Sequence, residues 1–101
     1  MINVIASITI MDTQLDTFIE IFKANIPNVL KENGCIEYSA TVDLKTGVAI
    51  QESDENVVTV IEKWESLQHL EAHFTAPHML DYKSRVEGMV ETVSLKILQE
   101  A

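Results

Sequence analysis

Residues 57–78 read VVTVIEKWESLQHLEAHFTAPH, and the change of rhythm inside this stretch decides the fold. Over residues 57–64 side chains alternate between two faces, as in a strand, so Val58, Val60, Glu62 and Trp64 point the same way. Over residues 66–74 the spacing becomes that of a short helix and sets His69 and His73 one turn apart on a single stripe. Pro77 suits the first turn of a further helix, which runs to about Val86 and is ended by Gly88. Residues 62–78 therefore gather a strand end, the only Trp, all three His and a Pro. A carboxylate, an indole and several imidazoles beside apolar residues make a wall for a small pocket.

Working outward, residues 2–10 alternate as well. Ile2, Val4, Ala6, Ile8 and Ile10 fall on one face and Asn3, Ile5, Ser7 and Thr9 on the other, giving a strand with two usable faces. Thr13 and Asp16 have the spacing of a capping box, which predicts a helix start there. Leu15, Phe18, Ile19, Phe22, Ile26, Val29 and Leu30 follow at steps of three and four, the stripe that buries one helical face. That helix should reach about Asn33, be closed by Gly34 and kink near residues 23–27, where Pro27 removes a backbone donor. Residues 35–44 form the next strand, and residues 45–56 read as a polar surface loop with a short edge strand around 48–51. Residues 90–99 alternate again as the last strand.

The order strand, helix, strand, strand, helix, strand is the split βαβ or ferredoxin-like arrangement, an α+β fold with helices on one face of an antiparallel sheet. Residues 1–101 make one such domain, a length with no room for a second core. Apolar side chains on both sides of the first and third strands predict a homodimer paired through its sheet faces.

Composition narrows the function. A net charge of −9, with seven Lys and Arg scattered and no basic stripe, argues against nucleic acid and against stable association with an anionic membrane. No apolar run approaches the ~20 residues of a membrane span. The opening MINVIASITIMD lacks the basic region and cleavage site of a signal peptide, so a cytoplasmic location is expected. The single Cys35 cannot form an internal disulfide and reads as a buried apolar residue.

Each polar candidate has two readings. Trp64 is either a core residue or a wall against a planar aromatic ligand. Glu62 shares its face, and an unpaired carboxylate is costly inside, so it either pairs with a Lys, Arg or His or lines a cavity. His73 lies on the stripe with Leu70 and Pro77 and points inward, as a satisfied core imidazole or as a group that exchanges protons. His69 is expected on the exposed side. His78 begins the following helix, where its ring either bonds backbone or joins the pocket. Tyr82, one turn on, can bring its hydroxyl to the same place, and Asn3 is a further hydrogen-bond donor. His69 and His73 have the spacing of a metal pair, but HLEAH is not HExxH and no third ligand is evident. The isolated Gly34, Gly47 and Gly88 build no nucleotide loop, and there is no GxSxG nucleophile.

Three segments, VLKENGCIEYSATVD, VTVIEKWESLQHLEAHFTAPHMLDY and VSLKILQ, resemble the antibiotic biosynthesis monooxygenase family, the most specific part being E-x-W-x-S-x-x-H-L-x-A-H-x-x-x-P-H. The resemblance covers nearly the whole chain. It implies a dimeric α+β barrel in which each sheet packs on its partner. It further implies oxidation of an electron-rich phenol or quinol, menadiol-like, by molecular oxygen as co-substrate and without a metal, flavin or haem cofactor. On this reading His73 is the base or proton relay, Trp64 flanks the ring, Glu62 orients an imidazole, and His78, Tyr82 and Asn3 hydrogen-bond the substrate oxygens. The family is functionally mixed, with haem-degrading members and one acting on a phosphorylated signalling sugar. The alternative from another class is a non-catalytic dimeric module that binds a small aromatic or serves a stress response.

Overall fold

The computed structural model describes residues 1–101. Its elements run β1 (Ile2–Ile10), α1 (Leu15–Leu30), β2 (Cys35–Val42), β3 (Val57–Trp64), α2 (Leu67–Phe74), α3 (Pro77–Arg85) and β4 (Val90–Leu98). The strands form one antiparallel sheet in the order β2-β3-β1-β4. This is the ferredoxin-like α+β arrangement expected from the order of elements.

Alternation places the core. Val4, Ala6, Ile8 and Ile10 of β1 are buried, and the register sets Val4 opposite Glu62, Ala6 opposite Val60 and Ile8 opposite Val58. The helix-side face of β3 therefore continues that of β1. From above, α1 contributes Phe18, Phe22 and Val29 to the same core. Phe22 stacks on Tyr38 of β2 with centroids 5.5 Å apart and planes 12° from parallel. Each fully buried side chain of this size contributes about 1.5–3 kcal/mol relative to exposure, so the covered side of β1 and β3 carries most of the hydrophobic stabilisation.

Several boundaries differ from expectation. The Thr13–Asp16 capping box does not form: Thr13 takes φ 72°, in the left-handed region, and the helix begins after Gln14 with no side-chain cap. At the other end α1 stops at Leu30, short of Asn33, with Lys31 as its cap. Gly34, at φ 82°, then turns the chain into β2, and a Cβ there would clash with the imidazole of His69, only 2.3 Å from its Cγ. Pro27 lies within α1 without ending it.

Strand β2 ends at Val42, and the edge strand expected around 48–51 is absent. A backbone turn from Gln51 to Val48 (3.1 Å) and the Gln51 side chain on the Leu44 carbonyl (2.7 Å) take its place. Local bonds of this kind offer the backbone an alternative to a sheet ladder.

No helix is long and apolar enough to cross a membrane. Strand β4 is the sheet's other edge, and its helix-side residues Val93, Leu95 and Ile97 pair with Ile8, Ala6 and Val4 yet stay 61%, 43% and 47% exposed.

Candidate active site

The chemistry gathers where β3 hands over to α2. Glu62 and Trp64 are two residues apart on one face of β3, close enough for the indole Nε1 to donate to Glu62 Oε1 at 3.0 Å. Ser66 caps α2, accepting from the His69 amide, and so fixes the rotation at which the helix presents Leu70 and His73 to the core. The His73 ring lies on Trp64 with centroids 4.7 Å apart and meets Tyr38 edge-on at 5.5 Å.

Glu32, in the turn after α1, completes the cluster. One carboxylate oxygen, Oε2, lies 2.8 Å from His73 Nδ1 and 2.7 Å from His78 Nε2. Because a carboxylate only accepts, both imidazoles donate to it, and this selects the Nδ1–H form of a neutral His73. Burial lowers the His73 pKa from its ordinary value, and the hydrogen bond and charge of Glu32, acting the other way, do not cancel it. His73 is therefore neutral near pH 7, with Nε2 carrying a lone pair.

Glu62 is displaced in the opposite sense. Burial pushes its carboxyl up to about 7, the Trp64 hydrogen bond opposes this, and the negative charge of Glu32 adds to it. Burial likewise raises the phenols of Tyr38 and Tyr82, which stay protonated.

These groups border a cavity of about 540 Å³, within the ~300–1,000 Å³ of small-molecule sites. Phe22, Met79, Val86 and Val90 give it apolar walls, while Tyr38, Glu62, His73 and Tyr82 bring polar groups to it, with Lys83 and Glu87 also in the lining. No buried side-chain nitrogen or oxygen is left without a partner. His73 Nε2 and the hydroxyls of Tyr38 and Tyr82 make no hydrogen bond within the chain, so they retain access through the cavity that they line. The arrangement offers a neutral imidazole, a carboxyl that titrates near neutrality and two phenolic donors around an apolar space. It can take a proton from an acidic hydroxyl and hold the resulting anion.

Glu62, Trp64, His73, His78 and Tyr82 are brought together as expected from sequence, though not all in the expected roles. Trp64 is fully buried behind Glu62 and His73 and does not border the cavity, so it backs the site and does not flank a ligand ring. Glu62 lines the cavity, but its partner is the Trp64 indole; the imidazoles are oriented by Glu32. His78 bonds Glu32, not backbone, and lies outside the cavity lining.

Asn3 is not brought to the site. It is exposed and pairs with Lys63 and Leu98, because alternation turns it to the face opposite Val4 and Glu62. His69, expected on the exposed side, is half-buried over Gly34 with Nδ1 2.7 Å from Ser66 Oγ. Cys35 is half-buried, and burial raises its thiol to about 11. No three His, Cys, Asp or Glu side chains are grouped to hold a metal.

Glu32 and Tyr38 were not singled out from the sequence. Both lie in the stretch VLKENGCIEYSATVD, where family resemblance was visible, yet Glu32 is 41 residues from His73 and 46 from His78. The alternation of Ile36, Tyr38, Ala40 and Val42 in the sequence is the available signal for the second residue, although a register shift between Cys35 and Glu37 leaves Ile36 exposed.

Comparison with known proteins adds independent findings. Residues 1–85 match the family described as antibiotic biosynthesis monooxygenase. Over 85 residues the chain is 44% identical to the Escherichia coli K12 protein named "Probable quinol monooxygenase YgiN", covering 84% of this chain and 78% of that one. Among solved structures it is similar to PA3566 from Pseudomonas aeruginosa, with TM-score 0.83 and 22% identity over 99% of this chain and 93% of that one. A crystal structure titled antibiotic biosynthesis monooxygenase gives TM-score 0.83 and 19% identity over 100% of this chain and 99% of the other. At these identities the two structures show likeness of fold.

Proposed function

The chain belongs to the antibiotic biosynthesis monooxygenase family, and we propose that it oxidises a small quinol or polyhydroxylated aromatic, menadiol-like, with molecular oxygen to give a quinone. At the coarser level the family match and the 44% identity make it an oxidoreductase of monooxygenase type. The finer reading, in which the quinol itself is deprotonated and passes its electrons to oxygen without a metal, flavin or haem, is supported by one observation. A neutral His73, held by Glu32 and free at Nε2, borders an apolar cavity beside a carboxyl that titrates at about 7.

The chemistry follows from the charge on the substrate. One quinol hydroxyl gives its proton to His73 Nε2, and the Glu32 carboxylate balances the imidazolium that results. The quinolate left behind is a strong reductant, and it passes one electron to oxygen, giving a semiquinone and superoxide. Two outcomes balance. In the first, a second electron and both protons go to oxygen, and the products are quinone and hydrogen peroxide. In the second, a carbon–oxygen bond forms, one oxygen atom stays on the ring as a hydroxyquinone and the other leaves as water. Glu62 takes the second proton in either case. Tyr38 and Tyr82 donate hydrogen bonds to the anionic oxygens. Proton transfer of this kind contributes a factor of about 10²–10⁴ in rate.

Two copies pair through the outer sheet face, where Ile5, Val57 and Ile61 stand among Ser and Thr residues with no helix over them. The unpaired Cys35 suits the reducing cytoplasm.

The test is oxygen uptake by metal-stripped protein given chemically reduced menadione, corrected for spontaneous oxidation. Enhancement by the native chain that falls by about 10²–10⁴ in His73→Ala supports the proposal. If both proteins run at the rate of buffer, quinol oxidation of this substrate is ruled out. Tight binding without enhancement would point to the non-catalytic binding module.

A further inference from the structure

Two apolar features of the chain remain largely open to water. One is the helix-side strip of β4, Val93, Leu95 and Ile97, which continues the core face of β1 but has no helix above it. Val93 also borders the cavity, so the cavity reaches the near end of this strip. The other is the arm of residues 43–56 between β2 and β3, on which Leu44, Val48 and Ile50 are 74%, 59% and 92% exposed. Ile50 in particular meets water over nearly its whole surface.

The arm is not loose chain. Gln51 holds the Leu44 carbonyl at 2.7 Å and bonds Thr46, Asp54 N donates to Asp43 at 2.9 Å, and Asn56 reaches Asp12 at 3.0 Å. A segment held by its own hydrogen bonds presents its apolar tips at little further entropic cost on docking. It leaves the sheet at β2 and β3, while the strip lies on β4, beyond β1 in the order β2-β3-β1-β4. Within one chain the two stay apart.

We infer that in a pair of chains each arm lies on the β4 strip of the other copy and closes the mouth of its cavity, so that Leu44, Val48 and Ile50 of a second copy complete the site. The inference rests on the pairing of two copies proposed above. Both surfaces belong to the same chain, so a two-fold axis makes the contact twice and leaves neither feature bare. Charge points the same way. The arm carries Asp43, Glu52, Asp54 and Glu55 against the single Lys45, and Lys83 of α3 lies in the cavity lining, with Glu87 also in it. A carboxylate of the arm reaching Lys83 favours this docking. Closure removes water from the cavity, which strengthens the hydrogen bonds made to a quinolate inside it.

The experiment uses the full chain with a nitroxide label on Glu52→Cys, which is exposed and leaves Ile50 in place. Cys35 stays, since its half-buried thiol, raised to about 11, reacts more slowly than the new exposed one. Labelled protein is mixed with an equal amount of ¹⁵N-labelled unmodified chain, so that any paramagnetic broadening in the ¹⁵N spectrum comes from the other copy. Loss of most of the amide intensity of Val93, Leu95 and Ile97, with smaller loss on the outer sheet face, is the expected result. Sedimentation of the same sample separates the premises. A monomer overturns the inference together with the pairing; a dimer without broadening on β4 overturns the inference alone. Shifts at the strip caused only by a long-chain quinol, with no intermolecular broadening, assign the strip to a ligand tail and also overturn it. The companion variant Ile50→Asp should keep the dimer mass while raising KM for reduced menadione severalfold. An unchanged KM tells against closure.

Discussion

Strands β1 and β4 lie side by side with the same alternation of apolar residues, and they end in opposite environments. Val4, Ala6 and Ile8 are buried, while their hydrogen-bonded neighbours Ile97, Leu95 and Val93 face outward from the same side of the sheet. The difference is the layer above. Helix α1 packs on β2 and α2 on β3, bringing Phe18, Phe22, Leu70 and His73 into the common core, and no helix packs comparably on β4. Periodicity assigns a residue to a face; only a second element makes that face an interior. The polar residues divide the same way. On the covered side Glu62 is shut away against Trp64 and titrates near neutrality, while Glu91 on β4 stays in water.

The largest test of this contrast is Trp64→Ala, which removes the biggest fully buried side chain and should cost about 3–5 kcal/mol in urea unfolding at fixed protein concentration. A loss below about 1 kcal/mol would mean that the covered face is not the stabilising one.

Next comes Glu62→Gln. The folded carboxyl titrates at about 7 against 4.5 unfolded, so its contribution is fully present below 4.5 and is lost as pH rises through 7. The variant should therefore be more stable than the native chain above pH 7, by up to about 3 kcal/mol, with the advantage vanishing near pH 4. Glu91→Gln, the exposed counterpart, should move the unfolding midpoint within about 0.5 kcal/mol at every pH. Equal responses from the two would erase the distinction between the faces.

Glu32→Gln probes the support of the imidazoles. It should cost about 1.5–3 kcal/mol at pH 7, the usual worth of a hydrogen bond to a charged group. The ¹⁵N shifts of His73 and His78 should report loss of the Nδ1–H preference at His73. Unaltered shifts would show that Glu32 does not set the tautomer.

The smallest effect is that of Leu95→Ala, within about 0.5 kcal/mol for the single chain. In a sample dilute enough to be monomeric it should be silent. A cost that grows with protein concentration would show that a second copy covers β4.

How much of this was readable beforehand depends on distance along the chain. The strands, the helices and the pairing of Glu62 with Trp64 on one face came from spacings of two, three and four residues, and the family pattern lay in contiguous segments. The capping box failed because the left-handed turn at Thr13 is not visible in residue types that also suit a cap. Asn3 has the chemistry of a hydrogen-bond donor, but the alternation of its own strand sends it to the opposite face from Glu62. Glu32 and Tyr38 have no motif spacing to the His residues; they reach the site only when the turn after α1 and strand β2 fold against His73.

The sequence by itself determined which segments become strands and helices, their order, and the face on which Glu62, Trp64 and His73 lie, since these depend on local periodicity. The tertiary structure decided that Trp64 backs the site and does not wall it, that Glu32 holds both imidazoles, and that β4 is left uncovered. Those outcomes depend on which elements pack over which, and packing joins residues that the chain keeps far apart.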